Sequence, residues 1–489
     1  MKNRKIVRVI LAAVLAAVTV FSSTAMHSAA STAGDVDNSG TIDLNDVTLM
    51  LKVITQFEGV DIDTSSADVT MDGKLTLADI SLLLRHIAGW QGLDPLPEIG
   101  DAPELDLEGV APVNPEKLTH DDFYGNSTNK VWLKSYYEQT MDTFLGVCKF
   151  YEEEGYEFYN YNILNGNHFA TYIKGKNVAH IYFIECESEL NVAFSRICGE
   201  AMPPKTPEVT TGNYKTSVTQ LQSSSYNGMG YVIQLADGSF ILYDGGYYGM
   251  EDEMWNTLVS LNGSEEGIVI RAWLITHSHI DHYQCFSSFS DKYADKVTLE
   301  RLMISPTNKD DTDGDTYLHD KVKDDIAKFE GAKLLYVHTG MTFNFCNVKM
   351  EILFAPEELY IADARWGSGL ANLIDFNSSS VVSRVYTDDY SAIFLGDATN
   401  HVAYRMIIYY GDYLKSDMCQ AGHHGFESFP LIGYNHIKAS IMWYPTTQEC
   451  YDYEGDEDVG NIRQAVRNSK YTKEVIVHEH ARETRYFGD

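Results

Sequence analysis

The strongest chemical signal in the sequence is the string HSHIDH, which begins at residue 277 directly after a hydrophobic run typical of a buried strand. Imidazoles at alternate positions, His277 and His279, can face one metal ion where the strand gives way to a loop. Asp281 and His282 can reach a second ion, which is the arrangement that a two-metal hydrolase needs. Four potential ligands in six residues therefore predict a metal centre rather than a structural histidine.

Three further candidate groups also stand at the ends of predicted strands. Asp244 closes the second strand of a hairpin, and Asp397 follows a strand and a glycine. The pair His423 and His424 follows a third short segment. Together with the HSHIDH string, and in this order, these residues resemble the metallo-β-lactamase superfamily. The resemblance covers about residues 215–489 and implies an αββα sandwich with zinc between its two sheets.

The resemblance also implies a role for each residue. One zinc ion would be held by His277 and His279. A second zinc ion would be held by Asp281, His282 and His423, and Asp397 would contact both ions. A zinc-activated hydroxide would be the nucleophile, with Asp281 as a catalytic residue that orients it. His424 is the other catalytic candidate and the alternative to His423 as a ligand. Asp244 and Asn377 would support the ligands.

In one respect the sequence departs from this family. A third histidine usually completes the first metal position from a turn between the HSHIDH string and the bridging aspartate, and no such turn occurs here. The segment NSSSVV, which begins at Asn377, instead resembles the branch that includes the hydrolase-like domain of DNA-uptake competence proteins. That branch also lacks the usual third histidine, so the sequence is compatible with one zinc ion or two.

A second metal-binding pattern is a duplication at an offset of 33 residues. Oxygen-bearing residues recur at loop positions 1, 3, 5, 9 and 12, with glycine at position 6, a spacing that lets alternate oxygens wrap a calcium ion. The predicted calcium ligands are Asp35, Asp37, Ser39, Asp43 and Asp46 in the first loop, and Asp68, Thr70, Asp72, Thr76 and Asp79 in the second. The doubled half-motif resembles a small all-α dockerin module over residues 34–90. That resemblance implies two calcium ions and a cohesin domain of a cellulosome scaffoldin as partner.

The rest of the chain predicts export and a modular layout. Residues 1–30 have the basic start, apolar run and small residues of a signal peptide, so we expect a secreted, extracellular protein. Residues 91–119 are rich in proline and acidic residues, as in an extended linker. Residues 120–207 predict a small α+β domain, with a helix over 130–154 and strands paired across an Asn-Gly turn. The sandwich then occupies residues 208–489.

The net charge of the chain limits the classes of partner that it is expected to bind. Among 489 residues, 37 Lys and Arg oppose 70 Asp and Glu, giving a formal net charge of −33, which disfavours duplex nucleic acid and anionic membranes. We expect a cellulosome-attached hydrolase that cleaves an ester, phosphodiester or lactone-type bond in a small-molecule or cell-wall-derived substrate. The alternative is an accessory component for polysaccharide degradation or glycan binding, with weak or no metallohydrolase activity.

Overall fold

The computed structural model describes the chain in these ranges: 34–37, 39, 41–55, 60, 62, 64–67, 75, 79–80, 83–84, 87, 103–119, 122–126, 131–205, 213–225, 227–305, 317–356, 377–426, 429–453 and 457–488. The chain divides into two compact units, residues 1–91 and 92–489. The predicted signal peptide, the start of the predicted linker and four of the predicted calcium ligands lie outside the described residues: Asp68, Thr70, Asp72 and Thr76.

The first unit is described around its first predicted calcium loop. Helices α1 (Leu44–Ile54) and α2 (Thr64–Ala67) lie within its described residues. Asp43 caps α1 in a capping box, in which the side chain of Asp46 accepts a hydrogen bond from the Asp43 N–H at 2.8 Å. Val47 and Met50 are buried on one face of the helix. The loop residues thus also determine where the helix begins.

The second unit begins with a six-stranded antiparallel sheet in the order β1-β2-β6-β5-β4-β3. Its strands are β1 (Asp122–Asn126), β2 (Val131–Tyr136), β3 (Glu157–Leu164), β4 (Asn167–Lys174), β5 (Asn177–Ile184) and β6 (Glu189–Ser195). Helix α3 (Met141–Glu153) covers one face, burying Phe144 and Val147 in a core with side chains of the sheet. Asn165 and Gly166 connect β3 to β4 with φ angles of 51° and 77°, which confirms the predicted Asn-Gly turn.

The predicted helix over residues 130–154 is corrected by the structure. Residues Val131–Tyr136 form strand β2, which pairs with both β1 and β6. Val131 and Leu133 are buried while Trp132 between them is only partly so, an alternation typical of a strand. The helix begins only at Met141, where Thr140 adopts an extended backbone and accepts a hydrogen bond from the N–H of Thr143.

Two further sheets face each other in the rest of the second unit. Their strands are β7 (Ser217–Gln220), β8 (Gly230–Gln234), β9 (Phe240–Asp244), β10 (Ile268–Leu274), β11 (Val297–Leu299), β12 (Arg301–Ile304), β13 (Lys333–Tyr336), β14 (Thr342–Phe345), β15 (Val348–Phe354), β16 (Val382–Tyr386), β17 (Ser391–Phe394), β18 (Met418–Gln420), β19 (Ile441–Tyr444), β20 (Glu474–Val477) and β21 (Glu483–Tyr486). One sheet has the order β13-β12-β10-β9-β8-β7-β21, with β11 beside β10, and the other has the order β14-β15-β16-β17-β18-β19-β20.

Aromatic side chains join the two sheets in the interior. The rings of Tyr243 on β9 and Phe394 on β17 stack with centroids 4.0 Å apart, and the hydroxyl of Tyr243 lies 2.8 Å from Ser383 Oγ on β16. Helices flank this pair of sheets: α4 (Glu251–Asn262), α5 (Ile280–Tyr293), α6 (Tyr317–Asp320), α7 (Val322–Ile326), α8 (Asn400–Tyr410), α9 (Leu431–Ile437), α10 (Gln448–Asp452) and α11 (Glu457–Arg467). Helix α4 packs on β8 and β10, α5 packs on β9, and α8 packs on β15. This arrangement is consistent with the predicted αββα sandwich.

Parallel strands in both sheets end at the edge that carries the predicted ligands. Strands β9 and β10 are parallel neighbours in one sheet, and β17, β18, β19 and β20 run parallel in the other. The HSHIDH string follows β10, while Asp397 and the histidine pair follow β17 and β18. Ligands are commonly bound at the carboxyl ends of parallel strands, because several loops converge there.

Candidate metal centre

Four buried side chains converge at this edge with their metal-ligating atoms together. The group comprises Asp281, His282, Asp397 and His424, whose ligand atoms all lie within 4.8 Å of one another. His282 Nε2 is 3.2 Å from Asp397 Oδ1, and His424 Nε2 is 3.1 Å from Asp281 Oδ2. Two imidazoles and two carboxylates are a donor set typical of zinc and related divalent ions.

A second group shares Asp397 with the first. The ligand atoms of His277, His279 and Asp397 also lie within 4.8 Å of one another. His277 Nε2 is 3.0 Å from His279 Nδ1 and 3.7 Å from Asp397 Oδ2. Asp397 therefore stands between two sets of ligands, as expected of a carboxylate that bridges two metal ions.

Hydrogen bonds behind the imidazoles fix their orientation. His282 Nδ1 lies 2.7 Å from Asp244 Oδ2, so that its Nε2 faces the four-residue group. Asp244 is itself fixed, because its carboxylate accepts hydrogen bonds from the N–H and the hydroxyl of Thr276 at 2.7 and 2.8 Å. His424 Nδ1 lies 3.0 Å from the carbonyl oxygen of Pro445. Such outer partners select the tautomer and raise the basicity of a ligand.

Ser380 links the two sheets behind the site. Its hydroxyl accepts a hydrogen bond from the N–H of Asp397 at 2.9 Å and lies 3.2 Å from His277 Nδ1. Gly396 has a φ of +56°, and a Cβ atom there would meet Ser380 and Thr276 at 3.0 Å. A side chain at position 396 would therefore strain the turn and push the supporting residues away from the ligands.

Three buried ligand atoms make no hydrogen bond with any described residue, although each lies close to another ligand. They are His282 Nε2, Asp397 Oδ1 and His424 Nε2. Burying polar atoms without hydrogen bonds costs about 1 to 3 kcal/mol each, so such atoms are rare unless they serve a ligand or a reaction. Because all three point into one group, the residues present fit a divalent metal ion.

The electrostatics of the site agree with this fit. Burial lowers the pKa of His282 and of His424, but the surrounding carboxylates outweigh it, so that the pKa of His282 lies well above its usual value and that of His424 rises to about 9. Burial raises the pKa of Asp397, yet the same two imidazoles hold it well below its usual value. Burial and the neighbouring imidazoles keep the pKa of His277 well below its usual value. Positive charge is thus favoured among these carboxylates, and a bound cation would supply it in place of the imidazole protons.

The structure corrects the preference between the two adjacent histidines. His424, and not His423, belongs to the four-residue group. Both have left-handed backbones, with φ angles of 49° and 55°, so the chain turns sharply at this pair, and the two ring centroids lie 6.1 Å apart. His423 Nε2 lies 3.5 Å from the amide nitrogen of Asn377. The oxygen of that amide, Asn377 Oδ1, is buried and has no hydrogen-bond partner among the described residues.

The structure brings most of the predicted residues together. His277, His279, Asp281, His282 and Asp397 converge as expected, and Asp244 supports one of them. Three supporting groups were not predicted as such, namely the side chains of Thr276 and Ser380 and the carbonyl of Pro445. A sequence signal existed for the first two, since Thr276 precedes the HSHIDH string and Ser380 lies in the NSSSVV segment. The carbonyl of Pro445 has no sequence signal, because every residue carries one.

The first calcium loop brings carboxylates together in the other unit. The ligand atoms of Asp35, Asp37 and Asp46 lie within 4.8 Å of one another. Asp46 accepts hydrogen bonds from the N–H groups of Val36 and Asp37 at 2.7 and 3.1 Å. Ser39 donates its N–H to Asp35 at 2.9 Å. The carboxylates therefore wrap the loop backbone around a common centre, as calcium loops do.

Other predicted calcium ligands are described in part. Asp43 acts as the cap of α1, and its side chain accepts a hydrogen bond from Asn45 N–H at 2.7 Å. Asp79 is fully buried within a helical stretch. It is the one predicted ligand of the second loop that lies within the described residues.

Comparison with known proteins identifies the first unit. Its sequence matches a family described as "Dockerin type I domain" over residues 33–88. These residues form a type I dockerin. No curated protein matches the chain. Among the described residues, every helix is too short or too polar to span a bilayer.

Several solved structures resemble parts of the chain. The metallo-beta-lactamase fold protein YhfI from Bacillus subtilis is similar over 56% of this chain and 100% of its own, at 12% identity and a TM-score of 0.34. CmlA, a diiron beta-hydroxylase from Streptomyces venezuelae, is similar over 55% of this chain and 54% of its own, at 12% identity and a TM-score of 0.34. Human tRNase Z, short form, is similar over 56% of this chain and 100% of its own, at 12% identity and a TM-score of 0.27.

Proposed function

We propose that this dockerin-bearing chain is a metal-dependent hydrolase that cleaves an ester, phosphodiester or lactone-type bond. The observation that carries the proposal is the convergence of buried, unbonded ligand atoms from both sheets of the sandwich, His282 Nε2, Asp397 Oδ1 and His424 Nε2. What supports a metal site is that three such atoms, from two imidazoles and a carboxylate, lie in one buried group.

Two metal positions are supported by the two groups. His277 and His279 would hold the first ion, Asp281, His282 and His424 would hold the second, and Asp397 would contact both. Zinc suits these imidazole and carboxylate donors. A bound zinc ion acts as a Lewis acid and makes water a nucleophile at neutral pH.

The chain's own residues would prepare the site for this chemistry. Asp244 and Thr276 hold the ring of His282, while the Pro445 carbonyl holds His424. Asp281 is the more accessible of the two carboxylates, with 7% of its side chain exposed against 2% for Asp397. We therefore assign Asp281 the role of orienting the attacking water and accepting its proton. These hydrogen bonds would keep the ligands in place between turnovers.

The dockerin would attach this activity to a scaffold. Type I dockerins imply a cohesin domain as partner, and the carboxylates of Asp35, Asp37 and Asp46 are arranged to bind calcium. A second calcium ion is expected from the duplicated loop. Together with the predicted signal peptide, this supports a secreted protein that works extracellularly as part of a cellulosome.

The proposal is tested by counting metal ions and measuring turnover on the same protein. Elemental analysis of the purified full chain should find zinc at one or two ions per chain, besides calcium. Hydrolysis should be screened with acetyl esters, lactones and bis-p-nitrophenyl phosphate. Asp281→Ala should lower turnover about 10³-fold or more because it removes both a ligand and the water-orienting carboxylate.

Asp389→Ala is the matched control, since Asp389 is an exposed aspartate on the turn between two strands of the same sandwich. It should leave zinc content and turnover unchanged. Activity that survives Asp281→Ala at the wild-type rate would contradict the proposal. Calcium-dependent binding to a cohesin should be equal in all three proteins, because residues 33–88 are untouched.

A further inference from the structure

An open groove of about 770 Å³ lies in the second unit, and its lining residues come from segments that also contact or support the candidate ligands. Loops that hold the ligands also border the groove. The N–H of Met229, two residues after lining residue Asn227, donates to the carbonyl of Asp281 at 3.1 Å. Lining residue Thr447 follows closely after Pro445, whose carbonyl holds His424. The groove is therefore placed to receive the part of a substrate that adjoins the reacting bond.

The walls of the groove are polar and carry negative charge. Glu449 and Glu479 line it, and neither forms an ion pair with a described residue. No lysine or arginine is found among the described residues that line it. An anionic group entering the groove would therefore meet two carboxylates and no lysine or arginine among the described lining residues, which costs free energy and slows encounter.

Apart from Cys450, the remaining lining groups both donate and accept hydrogen bonds. Ser224, Ser225 and Thr447 bring hydroxyls, Asn227 brings an amide, and Tyr247 brings a phenol and an aromatic face. The hydroxyl of Tyr247 donates to Asn227 Oδ1 at 2.6 Å, which fixes both side chains at the groove. Such a surface complements a ligand rich in hydroxyl groups, which also donate and accept.

We propose that the groove binds an uncharged, polyhydroxylated part of the substrate, such as an oligosaccharide, so that a neutral carbohydrate ester is preferred to an anionic phosphodiester. This inference rests on the proposed hydrolase function and names its substrate class. Glu449 and Glu479 would accept hydrogen bonds from sugar hydroxyls, and Tyr247 would offer a stacking face. A quaternary ammonium ligand would need several aromatic faces around it, and Tyr247 is the single aromatic residue among the described lining residues.

The Glu479 carboxylate is already positioned for this role. Its Oε2 accepts a hydrogen bond from the N–H of Gln448 at 2.8 Å, which anchors one oxygen beside Glu449. His478, its neighbour, lies with Nε2 2.8 Å from the carbonyl of lining residue Ser225. These contacts connect the segments that carry Glu479 and Ser225. The Glu479 carboxylate therefore does not need to be ordered when a ligand binds.

The first experiment measures binding without relying on turnover. Titration calorimetry of the full chain with uncharged xylotetraose should show binding both in the native protein and in Asp281→Ala. Glu479→Gln and Tyr247→Ala should each weaken binding about ten-fold, because each removes a carboxylate or an aromatic anchor. Glu265→Gln, a change at an exposed glutamate outside the groove, is the matched control and should bind normally.

The second experiment reverses the charge of the groove. Relative kcat/KM should be measured for an acetylated xylo-oligosaccharide, bis-p-nitrophenyl phosphate and a choline ester. The native protein should prefer the acetylated sugar. Glu449→Lys combined with Glu479→Lys should shift the ratio toward the phosphodiester about ten-fold, and high salt should shrink this shift. Glu265→Lys should leave the ratio unchanged.

The outcomes separate the two proposals. Sugar binding without any turnover would refute the hydrolase function and leave the groove assignment standing. Turnover of the phosphodiester or the choline ester in preference to the sugar ester, with no xylotetraose binding, would overturn the groove assignment and leave the hydrolase standing. An unchanged ratio after charge reversal would also overturn it, provided that circular dichroism shows the double variant to be folded.

Discussion

Buried histidines occur in two regions of the second unit and are held in opposite ways. His180 lies where the six-stranded sheet meets the sandwich, and both of its ring nitrogens have partners, Thr171 Oγ1 at 2.9 Å and the Thr339 carbonyl at 2.8 Å. His282, in the candidate metal centre, is bonded through Nδ1 to Asp244, whereas its buried Nε2, 3.2 Å from Asp397 Oδ1, makes no hydrogen bond with any described residue. In this comparison the candidate ligand differs from the structural histidine in having a buried nitrogen that faces carboxylates of the same group.

The charges around the two histidines also differ, and they shift the two pKa values in opposite directions. Burial and the neighbouring His338 lower the pKa of His180 to about 3, so this ring stays neutral. Around His282 the carboxylates overcome burial and hold the pKa well above its usual value. Positive charge is therefore unfavourable at His180 and favourable at His282.

The largest expected effect follows from removing the carboxylate shared by both ligand groups. Asp397→Ala should lower turnover about 10⁴-fold and reduce bound zinc to less than one ion per chain, because both positions lose a ligand. Elemental analysis and steady-state kinetics measure the two effects. Full zinc content in this variant would show that the convergence at Asp397 is not a metal site.

A smaller effect separates the adjacent histidines. His424→Ala should weaken zinc binding about 10³-fold, since it removes a ligand from the four-residue group. His423→Ala should weaken it by about three-fold at most, because that side chain meets Asn377 outside the group. Competition titration with a chromogenic chelator compares the two. The reverse order of the variants would restore His423 as the ligand.

Removing the support behind a ligand should have an intermediate effect. Asp244→Asn should weaken zinc binding about 10-fold to 100-fold, because an amide cannot both hold the His282 imidazole and accept two bonds from Thr276. Thermal unfolding should show whether the fold is retained. Unaltered zinc affinity in a folded variant would mean that His282 does not need this orientation.

The smallest effect concerns the structural histidine. An unfolded histidine takes up a proton below about pH 6.5, whereas native His180 resists protonation down to about pH 3, so stability falls as pH falls through this window. Lowering the pH from 7 to 5 should cost about 2 kcal/mol through His180. His180→Gln should reduce the pH dependence of urea unfolding by that amount and leave zinc content unchanged. Equal pH dependence in both proteins would contradict the assignment.

Much of the candidate site could be predicted because strand ends are visible in the sequence. Apolar runs ending in HSHIDH, in Asp244 and in Gly396-Asp397 locate ligands that meet at one edge when parallel strands align. The choice between His423 and His424 could not be predicted in this way. Two adjacent residues with left-handed backbones point in directions that depend on φ and ψ, which a pattern of residue types does not specify.

The fold before the sandwich was predicted less well. The segment 131–136 mixes aromatic, apolar and polar residues that suit a helix or a strand, and pairing with β1 and β6 decides in favour of the strand. The contact between the six-stranded sheet and the sandwich was also missed. Strand β5 is buried on both faces, from Val178 to Ile184, and this run, apolar except for His180, indicates that a second layer covers the sheet.

The stacked rings of Tyr243 and Phe394 limit how this protein can evolve. Tyr243 directly precedes Asp244, and Phe394 lies three residues before Asp397, so the thickness of the interior sets the gap that the two sheets leave for metal ions. A remote interior substitution would therefore alter reactivity without touching a ligand. Under the proposed function, new substrate preferences are more easily acquired in the loops around the groove, where side chains can vary while the distances between the candidate ligands stay fixed.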